Sequence, residues 1–306
     1  MTEPRISQDA VAHRVADRSI SATSMMVTVF GDAVSQHGGW IWLGSLIQAL
    51  APFGYGERSL RTAANRLVQQ DWLKAERVGR RSYFCFTDQA QGHYERAARR
   101  IYSAGRQDWD GYWTLVLLPG LPEKKREALV KSLSWQGFSS LAGGVYARPS
   151  GERKELDETI GGLGLTGRVT VLKASTEESY SQSAIRDLAR RKWKLDELKA
   201  HYDEFLSFYR PMARELRPGE LTPEESFWLR TLMVHDYRRI LLRDPGFPDV
   251  ILPAGWIGVT ACDLISRTYK VLAPSSAGYI CSSLQNAEGP MPAPGRRFHR
   301  RFDGLS

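Results

Sequence analysis

The spacing of apolar residues changes several times along the chain, and those changes divide it. Residues 1–18 are polar and without strong apolar periodicity, so they read as a flexible arm. SATSMMVTVFGDAV (21–34) reads as a short apolar helix. Gly38-Gly39 interrupts the pattern, and WIWLGSLIQALAPF (40–53) reads as a second helix ending near Pro52. Gly54 and Gly56 make a tight turn. In ERSLRTAANRLVQQ (57–70), Leu60, Ala63, Ala64, Leu67 and Val68 recur at helical spacing on one face. From Trp72 the chain changes to short extended runs, WLKAERV and SYFCFT, joined through Gly79-Arg80-Arg81. A helical segment over 89–103 leads out. Three helices followed by a β-hairpin predict a winged helix-turn-helix over 19–105.

Beyond residue 105 the order of periods is different. YWTLVLLP reads as a buried strand, EKKREALVKSLSWQG as an amphipathic helix closed by Gly137, and FSSLAGGVYARP as one or two strands. GERKELDETIGGLG then reads as a helix and GRVTVLKAS as a last strand. The order β-α-β-β-α-β predicts a ferredoxin-like domain over 106–176, serving dimerisation or spacing. Residues 177–286 read as a mainly helical domain, with one or two helices over 183–216 and a Thr222–Glu225 capping box opening the next. A proline-rich loop (245–253) precedes a helix near 260–272. The segment 287–306, rich in Pro and Gly and ending in Arg-rich sequence, reads as a flexible basic tail able to touch anions. The fold class is therefore α+β.

Composition narrows the function. The chain has 306 residues, 42% hydrophobic and 25% charged, as in a folded globular protein of two or three domains. No apolar run of about 18 residues and no signal-peptide pattern occurs. Cys85, Cys262 and Cys281 are too dispersed for a disulfide framework or a spaced metal site, which points to a cytoplasmic location. The net charge of +8 favours a polyanionic partner. Residues 1–100 hold 13 basic and 9 acidic side chains, and the whole of that excess lies between Leu60 and Tyr83, with 6 basic and 2 acidic.

That charge sits where a DNA-reading element needs it. A recognition helix needs a narrow apolar face to dock by and short polar or Arg side chains opposite it for base edges. Arg58, Ser59, Arg61, Thr62, Asn65 and Arg66 supply them, with Gln69 on the same side. A wing needs a tight turn carrying Arg for phosphate or the minor groove. Arg80 and Arg81 follow Gly79. Each element alone reads equally as a solvated helix face or a surface hairpin; their order and shared charge point to double-stranded DNA. No catalytic motif, metal site or cofactor is expected. Gly162-x-Gly164-x-x-Gly167 matches the dinucleotide pattern but stands after a helix and before a strand, the reverse of the order that pattern requires. His235-Asp236 next to Arg238 reads as a helix-surface cluster rather than an acid/base pair.

The stretch GGWIWLGSLIQALAPFGYGERSLRTAANRLVQQDWLKAERVGRRSYFCFT resembles the N-terminal region of the PaaX family, and HDYRRILLRDPGFPDVILPAGWIGVTACDL is similar to its C-terminal signature. The order of regions between them also matches. Ile257 stands where that signature has proline, and Asn65 and SQHGG (35–39) are unusual for it. The resemblance implies a cytoplasmic homodimeric repressor of a phenylacetate or related aromatic-acid catabolic operon. It would bind an inverted-repeat operator and leave it on binding phenylacetyl-CoA or another aryl-CoA thioester. Such a ligand needs cations for its phosphates and an apolar slot for its acyl group. One candidate set is Arg190, Arg191 and Lys192 beside Trp193; another is His235, Arg238 and Arg239 with Trp228 and Trp256. Both read equally as surface charge over core tryptophans. The middle domain resembles a small CRISPR-associated endoribonuclease, with Asp110 just before its first strand. A nucleic-acid-processing enzyme is the competing reading, and a CoA-ester enzyme with an accessory DNA-binding domain a third.

Overall fold

The computed structural model describes residues 8–103, 109–118, 120–149, 153–175 and 181–305, and mixes helix and sheet. The chain opens with α1 (Gln8–Asp17), α2 (Ala22–Asp32), β1 (Ile41–Trp42), α3 (Leu43–Leu50), α4 (Glu57–Gln69), β2 (Leu73–Val78), β3 (Arg81–Phe86) and α5 (Asp88–Ile101). Next come β4 (Trp113–Leu117), α6 (Glu123–Trp135), β5 (Ser139–Ala142), β6 (Val145–Pro149), α7 (Arg153–Gly162) and β7 (Thr170–Ala174). Then follow α8 (Ser181–Lys192), α9 (Leu195–Glu215), α10 (Pro223–Leu241), α11 (Ile257–Ser283), β8 (Gln285–Asn286), β9 (Gly289–Pro290) and α12 (Arg296–His299).

Two compact units do not follow chain order. One comprises residues 1–104, 205–238 and 261–306, the other 105–204 and 239–260. The helical stretch 177–286 is thus shared between them. Its first part is two helices, α8 and α9, broken where Lys194 takes φ 50°. The capping box is present, with Thr222 N–H donating to Glu225 Oε2 at 2.8 Å and Glu225 N–H to Thr222 Oγ1 at 3.2 Å. The helix read near 260–272 is far longer, since α11 continues through Pro274 to Ser283.

In the first unit β1, β3 and β2 form an antiparallel sheet in that order. Ile41 and Trp42, read as helical, instead pair with Phe84 and Tyr83, because the W-I-W alternation has the period of a strand. Within the stretch expected to be a loose arm, residues 8–17 are a helix; residues 1–7 lie outside the described residues. Val11 and Val15, one helical turn apart, are buried. Arg14, between them, pairs with Asp236 Oδ2 at 3.2 Å and lies 4.2 Å from the Phe208 ring centroid. A stripe of two valines and an arginine is too narrow to read from periodicity.

The expected flexible tail is also ordered. Met291, Phe298, Arg301 and Phe302 are buried. Arg301 Nη1 donates to Asp32 Oδ1 at 2.7 Å, its guanidinium lies 3.8 Å from the Tyr102 ring centroid, and Tyr94 and Tyr269 also hydrogen-bond to it. Arg230 Nε stands 2.9 Å from Asp32 Oδ2. Burial raises the Asp32 carboxyl, but the Arg230 and Arg301 guanidiniums outweigh it and hold the group below the usual carboxylate range. The positive charge that makes the tail look solvated is what fastens it.

In the second unit the sheet order is β5-β6-β4-β7, every neighbouring pair antiparallel. Leu115 of β4 stands opposite Ala147 on one side and Leu172 on the other. Leu129 and Leu133 of α6, Leu156 and Ile160 of α7 and Val116 of β4 make the core beneath. The glycine pattern lies between α7 and β7, with Gly164 and Gly167 at positive φ as a helix-ending loop requires.

Candidate nucleic-acid interface

The candidate interface comprises α4 and the β2–β3 hairpin. Leu60, Ala63, Ala64 and Leu67 of α4 are buried. Arg58, Ser59, Arg61, Thr62, Asn65 and Arg66 are all exposed. Val68, read with the apolar face, is 37% exposed and sits at its edge. The end of α4 is fixed by backbone geometry. Asp71 takes φ 58°, Trp72 N–H donates to Leu67 O at 2.9 Å, and Thr87 Oγ1 donates to Asp71 O at 2.8 Å. Trp72 then stacks on His93, 6.2 Å between centroids, and meets Phe86 edge-on. Helix and hairpin are therefore locked in one orientation.

The hairpin turns on two residues, since Val78 pairs with Arg81. Gly79 has φ 60°, a conformation that is strained for side chains with a Cβ and places Gly first in such a turn. From Lys74 to Arg81 every residue is exposed, whereas Tyr83 to Phe86 are buried. The hairpin thus stands out on an apolar root, with Arg80 and Arg81 at its tip.

The exposed arginines differ in what holds them. Arg61 Nη2 pairs with Glu57 Oε1 at 2.6 Å, an exposed pair one helical turn apart. Thr62 Oγ1 donates to Arg58 O at 2.9 Å. Among the described residues Arg58, Asn65, Arg66 and Arg80 have no side-chain hydrogen-bond partner. Arg81 lies 4.3 Å from the Trp42 ring centroid and donates to Gln285 Oε1 at 3.1 Å. Lys74 lies over Trp40 at 5.7 Å. Trp40, Trp42 and Gln285 are the residues that sequence reading missed. The alternation around Ile41 marks the two tryptophans as one face of a strand, but nothing local announces Gln285, which is 204 residues from its partner.

The candidate effector residues are divided between the two units. Trp228, His235 and Arg238 belong to the first unit; Arg190, Arg191, Trp193, Arg239 and Trp256 belong to the second. Trp228 and Trp256 are buried. His235 Nδ1 shares a hydrogen bond with Thr28 Oγ1 at 2.9 Å, and Arg238 Nη2 donates to Ser24 O at 3.3 Å. Asp236 accepts from Tyr209 at 3.0 Å; burial raises its carboxyl above the usual range against the pull of Arg14. Arg190 pairs with Asp196 at 2.9 Å, while Arg191 is exposed and Arg239 half-buried. Trp193 donates from Nε1 to Gly137 O at 3.0 Å and packs edge-on against Phe247. It also lines a cavity of about 290 Å³ with Phe138, Arg243 and Asp244, within the second unit. Asp110 is bound by Lys173 Nζ at 3.0 Å. Among the described residues no three His, Cys, Asp or Glu side chains are placed to hold a metal ion, and no helix is long and apolar enough to cross a membrane.

Known proteins match this architecture along its length. The family model described as PaaX-like protein matches residues 21–90, which contain α4 and the hairpin. The model for the PaaX protein central Cas2-like domain matches 106–185, and that for the PaaX-like protein C-terminal domain matches 193–282. A curated relative, Transcriptional repressor PaaX of Escherichia coli (strain K12), is 36% identical over 298 residues, covering 97% of this chain and 94% of that protein. An uncharacterized protein from Mycobacterium tuberculosis, 23% identical, shares the fold with a TM-score of 0.51 over 83% of this chain and 97% of its own. With an alignment to the repressor that covers nearly the whole chain at 36% identity and the three domain models in consecutive order, the chain belongs to the PaaX-like family.

Proposed function

We propose that this protein is a DNA-binding transcriptional repressor of a phenylacetate or related aromatic-acid catabolic operon. The observation that carries the reading is the sidedness of α4: six side chains able to read or hold DNA are exposed on it while four apolar ones anchor it. We read α2, α3, α4 and the hairpin as a winged helix-turn-helix and the second unit's sheet and helices as a ferredoxin-like module that spaces or pairs two copies. The protein acts in the cytoplasm as a homodimer on an inverted repeat, and an aryl-CoA thioester such as phenylacetyl-CoA releases it. The curated relative's name and the family membership support repression. Asp110, held by Lys173 on the protein surface, supports a structural rather than nucleolytic part for the central domain.

The test is a titration of duplex DNA from aromatic-acid operon promoters by fluorescence anisotropy. Arg61→Ala should weaken the cognate site by roughly 1–3 kcal/mol and relax preference at one base position, because a lost bidentate contact is sequence-specific. Equal weakening on cognate and scrambled duplex would remove Arg61 from the base-reading set.

A further inference from the structure

One wing arginine is held by the far end of the chain. Arg81 Nη1 donates to Gln285 Oε1 at 3.1 Å while its guanidinium lies over Trp42. Gln285 is itself fixed. Its backbone N–H donates at 3.0 Å to Oγ of Ser45, which is buried in α3, and the preceding Leu284 is buried at the end of α11. Leu284 O accepts from Met291 N–H at 3.0 Å, closing the β8–β9 hairpin, and β8 packs against β1. Both Gln285 and Arg81 nevertheless remain exposed.

The chemistry of this partner matters. Glu57 neutralises Arg61, whereas the Gln285 amide is uncharged and leaves the full positive charge on Arg81. A guanidinium has five N–H donors, so one bond to Gln285 leaves others to donate outward. A long, exposed arginine loses rotamer freedom when it grips a phosphate, and holding it beforehand lowers that cost. We propose that Gln285 is a positioning residue of the DNA interface, which with Trp42 presents the Arg81 guanidinium to the phosphate backbone of duplex DNA. The inference rests on reading the wing as a phosphate-contacting element.

Phosphate contacts do not depend on sequence, so full-length protein and random-sequence duplex at low salt suffice. Arg81→Ala should lower affinity and reduce the slope of log affinity against log salt by about one. Gln285→Ala should weaken binding about threefold to tenfold with thermal stability unchanged. Gln285→Glu should cost more than Gln285→Ala and also flatten the salt slope, because the new carboxylate holds Arg81 while cancelling its charge. Adding Gln285→Ala to Arg81→Ala should cost nothing further. If Arg81→Ala weakens binding but Gln285→Ala does not, or if the two losses add, the positioning role is overturned and the wing reading stands. If Arg81→Ala itself leaves affinity and slope unchanged, the wing reading fails and the positioning role with it.

Discussion

Asp32 is a carboxylate with two guanidiniums and two tyrosines around it, all buried. Asp32→Asn keeps the volume and removes the charge, leaving Arg230 and Arg301 uncompensated in the core. Breaking a buried pair in this way costs about 3–5 kcal/mol, which urea unfolding would register as a lower midpoint. A loss under about 1 kcal/mol would mean that water enters the cluster and screens it. His37, also fully buried, donates from Nδ1 to Pro292 O at 2.8 Å. Burial depresses its imidazole to about 4, against a partial counter-effect of that hydrogen bond; Arg230 and Arg301 push it the same way as burial, and Asp32 opposes. The unfolded chain therefore takes up the His37 proton first. Its contribution to stability is complete above about pH 6.5 and falls as pH drops toward 4, by up to roughly 1.4 kcal/mol per unit. Asp236, whose carboxyl is raised, acts in the opposite sense, so the contribution of His37 is read as the difference between the parent and His37→Gln. That difference should shrink between pH 6.5 and 4; a constant difference would show that folding leaves the proton affinity of His37 unchanged. At this scale the exposed face of α4 was legible, since helical spacing alone separates Arg61 from Leu60. The partners of Asp32 and His37 were not, because the two arginines around Asp32 and the Pro292 carbonyl that meets His37 lie more than 190 residues away, and a lone Asp or His in an apolar run carries no sign of what it meets.

Elements near the start of the chain are packed against remote ones near its end. The chain from β8 to α12 lies along the N-terminal segment: Gly295 N–H donates to Gln36 O, Arg297 pairs with Glu95, and Phe302 N–H donates to Tyr102 O at 2.7 Å. Phe302 is fully buried and meets Tyr102 and Tyr269 at ring distances of 5.6 and 5.3 Å. Phe302→Ala should therefore destabilise the protein by about 3–5 kcal/mol, measured by thermal or urea unfolding, where a frayed tail would give almost nothing. The element types were mostly legible because each follows one period: α4, the hairpin and the alternation of strand and helix over 113–174 stand where the pattern put them. The errors came where the signal is not periodic. In α1 the buried side of the helix includes an arginine, and in 287–306 the Pro, Gly and Arg that read as disorder form turns and a buried ion pair. Both segments are stabilised by charge pairs with partners on α2 or α10, so hydropathy alone pointed the wrong way.

For the whole molecule, the order of the chain conceals the order of the fold. α1 joins Asp236, the C-terminal segment joins Asp32, and residues 239–260 belong with the central sheet rather than with their neighbours in sequence. No local pattern announces such pairings. This arrangement bears on how a repressor could be switched. A dimer on an inverted repeat must hold two copies of α4 about one helical turn of DNA apart, or a multiple of it. A ligand displaces such a dimer by favouring another spacing, and only as far as it binds that state more tightly; moving a population from 99:1 to 1:99 needs a preference of about 10⁴-fold. Alternatively the ligand's phosphates compete for Arg58, Arg66 and Arg80 on the DNA face itself. The two mechanisms separate on a single half-site. If spacing is the switch, an aryl-CoA thioester should lower affinity for the full inverted repeat by orders of magnitude and leave affinity for a half-site duplex unchanged, measured on the intact protein. If the ligand occupies the DNA face, both affinities should fall together, and in proportion to ligand concentration. The candidate effector residues are divided, since Arg190, Arg191, Trp193, Arg239 and Trp256 lie in the second unit and Trp228, His235 and Arg238 in the first with the candidate DNA-reading side chains, so only this measurement decides between the two. Equal losses on half-site and full site would place the effector on the face of α4 and the wing, and would remove the second unit from the switch.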